Sequence, residues 1–402
     1  MSKTGSIDRR DFMKTTAAGA AGALIAGSIH ADTKEAKEVQ KGTKKTLYRT
    51  LGKTGIKVPV ISMGVMNADN PSLVRAALDS GITFFDTAYL YQRGKNEEMV
   101  GEMVKGRPRD SFVVATKVPG TIPIPYDTGL FPDDEVIRGR LGDDFLKRVD
   151  ISLKRLQMDH VDILYLHNVW KREAVLSEPL MKALEKAKKD GKTRFIGVST
   201  HRSEPEVIRA AIESKLYDVV LTAYNFKQQH HSEIRKAIAE AAKAGLGVVA
   251  MKNIAVDYSE KDEKKVDPKT CLKWALQDEN VHTTIPGFTT FEQLNEDLSV
   301  MEDISLTDGE KKMFAYAHSA GDLYCQGCES CLKQCVKRLP IPELMRAYMY
   351  AYGYRNLSEA ETLLSSLRMP RDACNSCAGC TVKCAKGFPV SQRIRYLMKE
   401  FA

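Results

Sequence analysis

Ile82-Thr83-Phe84-Phe85-Asp86-Thr87-Ala88-Tyr89-Leu90-Tyr91 is the stretch on which the reading of the fold turns. Its first four residues are apolar or β-branched and follow the helix-stopping pair Ser80-Gly81, so they read as a buried parallel strand. Asp86 then falls at the strand's carboxyl end, where the loops of parallel α/β proteins gather around the mouth of the sheet or barrel. Alone, Asp-Thr-Ala-x-x-Tyr reads equally well as an ordinary strand end followed by a loop aromatic.

Two later strand ends sharpen the reading. Phe112-Val113-Val114-Ala115-Thr116-Lys117 ends on a lysine, and Val161-Asp162-Ile163-Leu164-Tyr165-Leu166-His167 ends on a histidine. Singly, Lys117 suits a solvated strand terminus and His167 a hydrogen-bonded core histidine. On consecutive strands with Asp86 and Tyr91, they suit a shared proton-transfer site better. A free tyrosine has a pKa near ~10 and donates a proton poorly unless a buried cation favours its phenolate. Lys117 is the candidate cation, Asp86 its anchor, and neutral His167 a hydrogen-bond donor to a substrate carbonyl.

In these four residues the chain resembles the aldo-keto reductase superfamily, whose Asp, Tyr, Lys and His tetrad matches Asp86, Tyr91, Lys117 and His167. The resemblance spans about residues 47 to 305. It implies hydride transfer between a nicotinamide, NAD(P)(H), and a small carbonyl or alcohol substrate, with the cofactor extended across the carboxyl face of the barrel. Positions matching its cofactor contacts are Ser199 and Thr200, Tyr224 (the aromatic that stacks on the nicotinamide), Lys252, and Pro286, Gly287, Thr289 and Gln293. Thr200 stands where asparagine is usual, and Leu221 where many members carry glutamine. Gly287 and Gln293 replace the cations that often clamp a 2′-phosphate, so NADP specificity does not follow.

The remaining pattern agrees with one closed barrel. Strands are expected near 60–64, 82–87, 112–117, 161–167, 193–199, 218–224, 247–252 and 282–286, with helices between them, including Leu73 to Ser80, Asp143 to Leu156, Glu178 to Asp190 and Glu204 to Ser214. Eight such repeats in one run predict an α/β fold, a (β/α)8 TIM barrel, rather than an open sheet. No Gly-x-Gly-x-x-Gly opens a helix, so the common dinucleotide fingerprint is missing. Before the barrel, Tyr48 to Ile61 reads as a hairpin turned at Lys53-Thr54-Gly55. Substrate selection is expected from the loop Pro119 to Gly142 and from Asn168-Val169-Trp170. Tyr126, Phe131 and Trp170 are candidate pocket walls, and Arg138, Arg140 and Arg172 candidate contacts for an anionic or hydroxylated group.

The two ends carry different signals. Arg9-Arg10-Asp11-Phe12-Met13-Lys14 precedes a mildly apolar Ala/Gly stretch from Thr15 to Ile29, too short and glycine-rich for a confident span of ~20 apolar residues. It resembles a twin-arginine export signal, which implies the twin-arginine export machinery as a partner and a periplasmic or otherwise exported protein, membrane-associated if the signal stays uncleaved. The expected segments are a signal over 1–31, a disordered linker over 32–46, the barrel over 47–305 and a C-terminal domain over 306–402.

That last domain carries Cys325-x-x-Cys328-x-x-Cys331-x-x-x-Cys335 and again Cys374-x-x-Cys377-x-x-Cys380-x-x-x-Cys384, eight of the chain's nine cysteines. The spacing matches the bacterial ferredoxin run for [4Fe-4S] clusters, in which the fourth cysteine serves the other cluster. Two clusters are therefore expected, one on Cys325, Cys328, Cys331 and Cys384, the other on Cys374, Cys377, Cys380 and Cys335. Zinc takes paired Cys-x-x-Cys, and three cysteines at i, i+3 and i+6 suit it less well. Pro340 to Gly353 and Leu357 to Leu367 read as helices, making a helical ferredoxin-like appendage. Cys271, beside Leu272 and Trp274, reads as core.

A formal charge of +8 over 402 residues is mild, and no basic run interleaved with aromatics suggests nucleic acid. Two functions stay open at this point. One is a nicotinamide-dependent reductase or dehydrogenase carrying the clusters. The other is an electron-transfer or partner-binding iron-sulfur protein, acting with a redox partner, on an inactive barrel.

Overall fold

A computed structural model describes residues 46–126, 128–254, 267–317, 325, 327–367, 369, 372–375, 377 and 379–401. The expected export signal and nearly all of the expected linker lie outside the described residues. The chain from Lys41 onward forms one compact unit.

Strands β1 (Tyr48–Thr50) and β2 (Lys57–Pro59) pair antiparallel, Tyr48 opposite Pro59, around the expected turn. Gly55 there takes φ 72°, a left-handed conformation that glycine adopts without a Cβ clash. Leu51, fully buried at the tip, joins Phe84, Val113, Ile163, Tyr165, Val219 and Val249 in the interior cluster, so the hairpin closes one end of the barrel.

Eight parallel strands follow: β3 (Met63–Gly64), β4 (Phe84–Asp86), β5 (Val113–Val118), β6 (Val161–Leu166), β7 (Thr193–Thr200), β8 (Val219–Ala223), β9 (Gly247–Met251) and β10 (Thr283–Thr284). Closure comes from the parallel bridge between Ile61 and Thr284 and the Ser62 N–H donating to Thr284 at 2.8 Å. Alternation decides what points where. In β8, Val219 and Leu221 fill the interior while Val220 faces the helices. The larger apolar cluster lies between strands and helices.

Those helices are α1 (Pro71–Asp79), α2 (Lys95–Val104), α3 (Glu135–Leu156), α4 (Arg172–Val175), α5 (Glu178–Lys189), α6 (Glu204–Ser214), α7 (His231–Lys243), α8 (Pro268–Leu276) and α9 (Phe291–Glu302). α3 begins eight residues earlier than expected because Asp134 caps it, its carboxylate accepting from Val136 and Ile137 N–H. This shortens the loop assigned to substrate selection. It also corrects one expectation: Arg138 and Arg140 lie on an exposed helix, ion-paired with Asp133 and Asp144, and exposed Arg172 pairs with Glu213.

α10 (Asp308–Ala317) sits beyond the expected boundary at 305, yet it docks on the barrel. Its Glu310 accepts from Lys273 of α8 at 3.0 Å, and Phe314 packs with Phe226 and Cys271. The C-terminal segment then builds its own core on α11 (Ile341–Tyr348), a π-turn at Met349–Gly353, α12 (Leu357–Ser366) and α13 (Val390–Phe401). The two helices read between the cysteine runs are both present. Met66 and Tyr126 of the barrel loops pack into this second core. No helix among the described residues is long and apolar enough to cross a membrane.

Candidate active site

The four strand-end residues converge. Asp86, the last residue of β4, lies 2.5 Å from the Lys117 ammonium of β5, both side chains 2 % exposed. Lys117 Nζ also donates to the Thr87 carbonyl at 2.7 Å and to the Tyr91 phenol at 3.2 Å, so its three protons meet three acceptors. Tyr91 is brought back over the mouth by a tight turn in which Gln92 and Arg93 both take positive φ. The His167 ring stands edge-on to Tyr91, centroids 6.0 Å apart, and its buried Nδ1 has no partner.

Electrostatics set the proton inventory. Burial lowers the Lys117 pKa, and Asp86 opposes that shift, which favours the charged amine. Burial holds His167 well below its ordinary value, with Lys117 and Arg346 adding to the effect, so the imidazole is neutral at pH 7. Tyr91 departs from the expectation that Lys117 depresses it. Burial first, then Asp86 and Glu359, raise the phenol well above its usual range, and Arg346 only partly offsets them. The phenol is thus fully protonated at neutral pH.

Two cavities meet at this point, sharing Tyr91 and His201. The larger, about 350 Å3, runs past Asp86 to Lys252, Pro286, Gly287, Thr289 and Gln293, five of the eight expected cofactor positions. The Asn253 side-chain oxygen, buried without a partner, also belongs to this wall. Burial drops Lys252 to about 7. At the start of α9 the Thr289 N–H already donates to the Gln293 side chain and the Gln293 N–H to Thr290, so an incoming phosphate competes with these side chains.

Three expected contacts lie elsewhere. Ser199 accepts from the Asn168 N–H at 2.9 Å and Thr200 donates to the Arg202 carbonyl at 2.6 Å, both buried. Tyr224 packs on Trp274 at 4.9 Å in the layer between strands and helices, because the period-2 alternation of β8 turns it outward. Leu221 faces inward, within the barrel core.

The smaller cavity, about 180 Å3, is bounded by Tyr91, His167 and Tyr126, the last stacked on Trp170 at 5.8 Å and 10°. Its other wall is Arg346, Tyr350 and Glu359 from the C-terminal segment, residues the sequence reading missed. The roof is tied down by Arg202 at the end of β7. Its guanidinium lies 3.2 Å from Glu329 and 3.5 Å from buried Glu343, which also pairs with Arg346 at 3.2 Å.

The aldo/keto reductase family model matches residues 63–269, just over half of the chain. The chain is a member of the aldo/keto reductase family. A twin-arginine translocation signal matches residues 6–26, which marks this reductase for twin-arginine export to the periplasm. It is 26 % identical over 301 residues to L-galactose dehydrogenase of Arabidopsis thaliana, covering 65 % of this chain and 89 % of that one. It is 27 % identical over 221 residues to D-threo-aldose 1-dehydrogenase of a Pseudomonas species, covering 49 % and 66 %. An aldo-keto reductase of Bacillus halodurans superposes with a TM-score of 0.54 at 22 % identity, over 68 % of this chain and 96 % of the other, a likeness of fold. This aldo/keto reductase is an NAD(P)-dependent oxidoreductase.

The cysteines fall into two neighbourhoods. Cys331 is raised to about 11, by burial first and then by the thiols of Cys328 and Cys384; Cys325 is raised to about 12 by burial, with Cys331 adding to it. Cys374 is raised by burial and then by Cys380, Cys377 and Cys335. A cavity of about 220 Å3 is lined by that second four, with Ile341, Val382 and Ile394 among its apolar neighbours. Among the described residues no disulfide forms and no three His, Cys, Asp or Glu side chains are set to hold a metal ion.

Proposed function

We propose that this reductase interconverts a small carbonyl compound and its alcohol, with Tyr91 as the acid, and carries two [4Fe-4S] clusters. The observation that supports the first part is the chain of contacts from Asp86 to Lys117 to the Tyr91 phenol, opening on a cavity lined by five of the eight expected cofactor positions. Bound NAD(P)H supplies the hydride. Tyr91 gives its proton to the carbonyl oxygen, and the Lys117 ammonium stabilises the phenolate left behind. Asp86 keeps that ammonium charged and in place. Neutral His167 donates a hydrogen bond that orients the carbonyl.

Lys252, Gly287, Thr289 and Gln293 would hold the nucleotide along the larger cavity. The sugars in the names of the two dehydrogenases above make a hydroxylated carbonyl compound the substrate class of choice. The segments 1–31, 32–46, 47–305 and 306–402 serve as signal, linker, barrel and cluster-bearing domain in this reading.

For the clusters, Cys325, Cys328, Cys331 and Cys384 would hold one and Cys374, Cys377, Cys380 and Cys335 the other. What supports this is the crossing of neighbourhoods, Cys384 beside Cys331 and Cys335 beside Cys374. The i, i+3, i+6 spacing of three cysteines in each run suits a cubane cluster better than zinc. A cluster supplies one-electron chemistry when bound. Cys328 and Cys380, the exposed thiols, would face a redox partner protein.

The test is Tyr91→Phe, followed by NAD(P)H oxidation with an aldehyde. Loss of roughly 100- to 10,000-fold in kcat with nucleotide binding kept is expected. Activity equal to the wild type would remove Tyr91 from the role.

A further inference from the structure

The roof of the smaller cavity contains a carboxylate that the barrel chemistry does not use. Glu359 is 8 % exposed, and its Oε2 is buried without a hydrogen-bond partner. On its other side the carboxyl faces the Gln92 backbone N–H, which lowers its pKa. Gln92 directly follows Tyr91, so Glu359 lies against the turn that carries the phenol. Two residues along α12, Glu361 pairs with Arg93 at 3.0 Å and links the same helix to the same turn.

The helix presents a face rather than a single residue. Glu359, Thr362, Leu363 and Ser366 line the cavity, the i, i+3, i+4, i+7 spacing of one helix side. A buried acceptor left unpaired costs about 1–3 kcal/mol, so a site that keeps one has a donor to receive. The polar neighbours do not serve it. Arg346 is turned to Glu343 at 3.2 Å, and the imidazoles of His167 and His201 each show a buried, unpartnered Nδ1.

The missing donor is therefore the ligand's. A cationic amine is disfavoured beside Arg346, Lys252 and Lys117, whose charges bear on this pocket. A neutral O–H fits both the carboxylate and the imidazole nitrogens, since a hydroxyl donates and accepts. At about 180 Å3 the cavity is smaller than the ~300–1,000 Å3 usual for ligand pockets, which limits the ligand to a small molecule.

Resting on the carbonyl-reductase reading above, we infer that Glu359, brought in by the C-terminal segment, is a specificity residue that accepts a hydrogen bond from a substrate hydroxyl, making short polyhydroxylated aldehydes or ketones the substrate class. Burial, opposed by Lys252, raises this carboxyl to about 7, which the ligand's hydroxyl would lower again by pairing with the ionised form.

The test compares D-glyceraldehyde with propanal, two aldehydes of one chain length, on the full holoprotein with NAD(P)H. The wild type should favour glyceraldehyde in kcat/KM, and Glu359→Leu should cut that preference roughly 10- to 100-fold, through KM, with Glu359→Gln restoring part of it. Ser365→Ala, at an exposed position of the same helix away from the cavity, should keep the wild-type preference. Erythritol should inhibit propanal reduction by the wild type competitively where butan-1-ol does not, a readout that needs no variant to fold. A wild type that reduces propanal without preferring glyceraldehyde, or a preference untouched in Glu359→Leu, overturns the inference alone. Reduction of neither aldehyde overturns it together with the reductase reading.

Discussion

The Lys117 ammonium and the Asp86 carboxylate, 2.5 Å apart and both sealed from water, form a charge pair at the centre of the barrel mouth. Removing one partner of such a pair leaves an uncompensated buried charge. Asp86→Asn should therefore destabilise the fold by about 3–5 kcal/mol and move the pH at which Lys117 loses its proton downward, since burial then acts without the carboxylate that opposes it. Denaturant unfolding and the pH profile of kcat measure the two consequences. Unchanged stability with unchanged kcat would mean that the lysine is held charged by the Thr87 carbonyl and Tyr91 alone.

The barrel was legible because its signals are local. Strand β4, the turn at Gly55 and the terminal residues Lys117 and His167 each follow from short apolar runs and their stops, and the structure brings all four tetrad residues together. Side-chain direction was less legible. Tyr224 lies one residue beyond β8 and points outward, a matter of parity that a shift of one position reverses. The roof was hidden for a different reason. Glu343, Arg346 and Glu359 sit in helical patterns where charges usually mark a solvated face, and the partner that Glu343 finds, Arg202, lies at long sequence separation.

His167 should make the protein acid-sensitive in a definite direction. Burial lowers its folded-state pKa, so below the unfolded value near 6.5 the unfolded chain takes up a proton that the native one refuses. The native state keeps its full advantage above about pH 6.5 and loses it as pH falls toward the folded pKa. His167→Asn should flatten the dependence of Tm on pH between about 6.5 and 5. A slope as steep as the wild type's would assign the sensitivity to other groups, His201 foremost.

Arg202 connects β7 to the roof while its ring-facing side lies over Trp170 at 4.0 Å. Arg202→Met keeps the packing and removes the charge, leaving Glu343 buried with Arg346 alone. A loss of about 3–5 kcal/mol is expected, expressed first as loosening of the C-terminal segment. Limited proteolysis should degrade the α11 to α13 segment in the variant well before the barrel unfolds. Simultaneous loss of both parts would show that they unfold as one cooperative unit.

The crossed arrangement of cysteines separates cluster ligation from simple neighbourhood along the chain. If each run of four held its own cluster, Cys335→Ala would damage the same centre as Cys331→Ala. In the crossed arrangement, Cys335 belongs with Cys374, whose thiol feels it, and Cys384 belongs with Cys331. Cys335→Ala and Cys374→Ala should then each remove about four of about eight irons, and the double variant should remove no more than either alone. Pairing Cys335→Ala with Cys331→Ala should instead strip both centres. Iron and sulfide analysis with the visible absorption of anaerobically purified protein reads the difference, and an additive loss in the Cys335 and Cys374 double variant would place the two cysteines on separate centres.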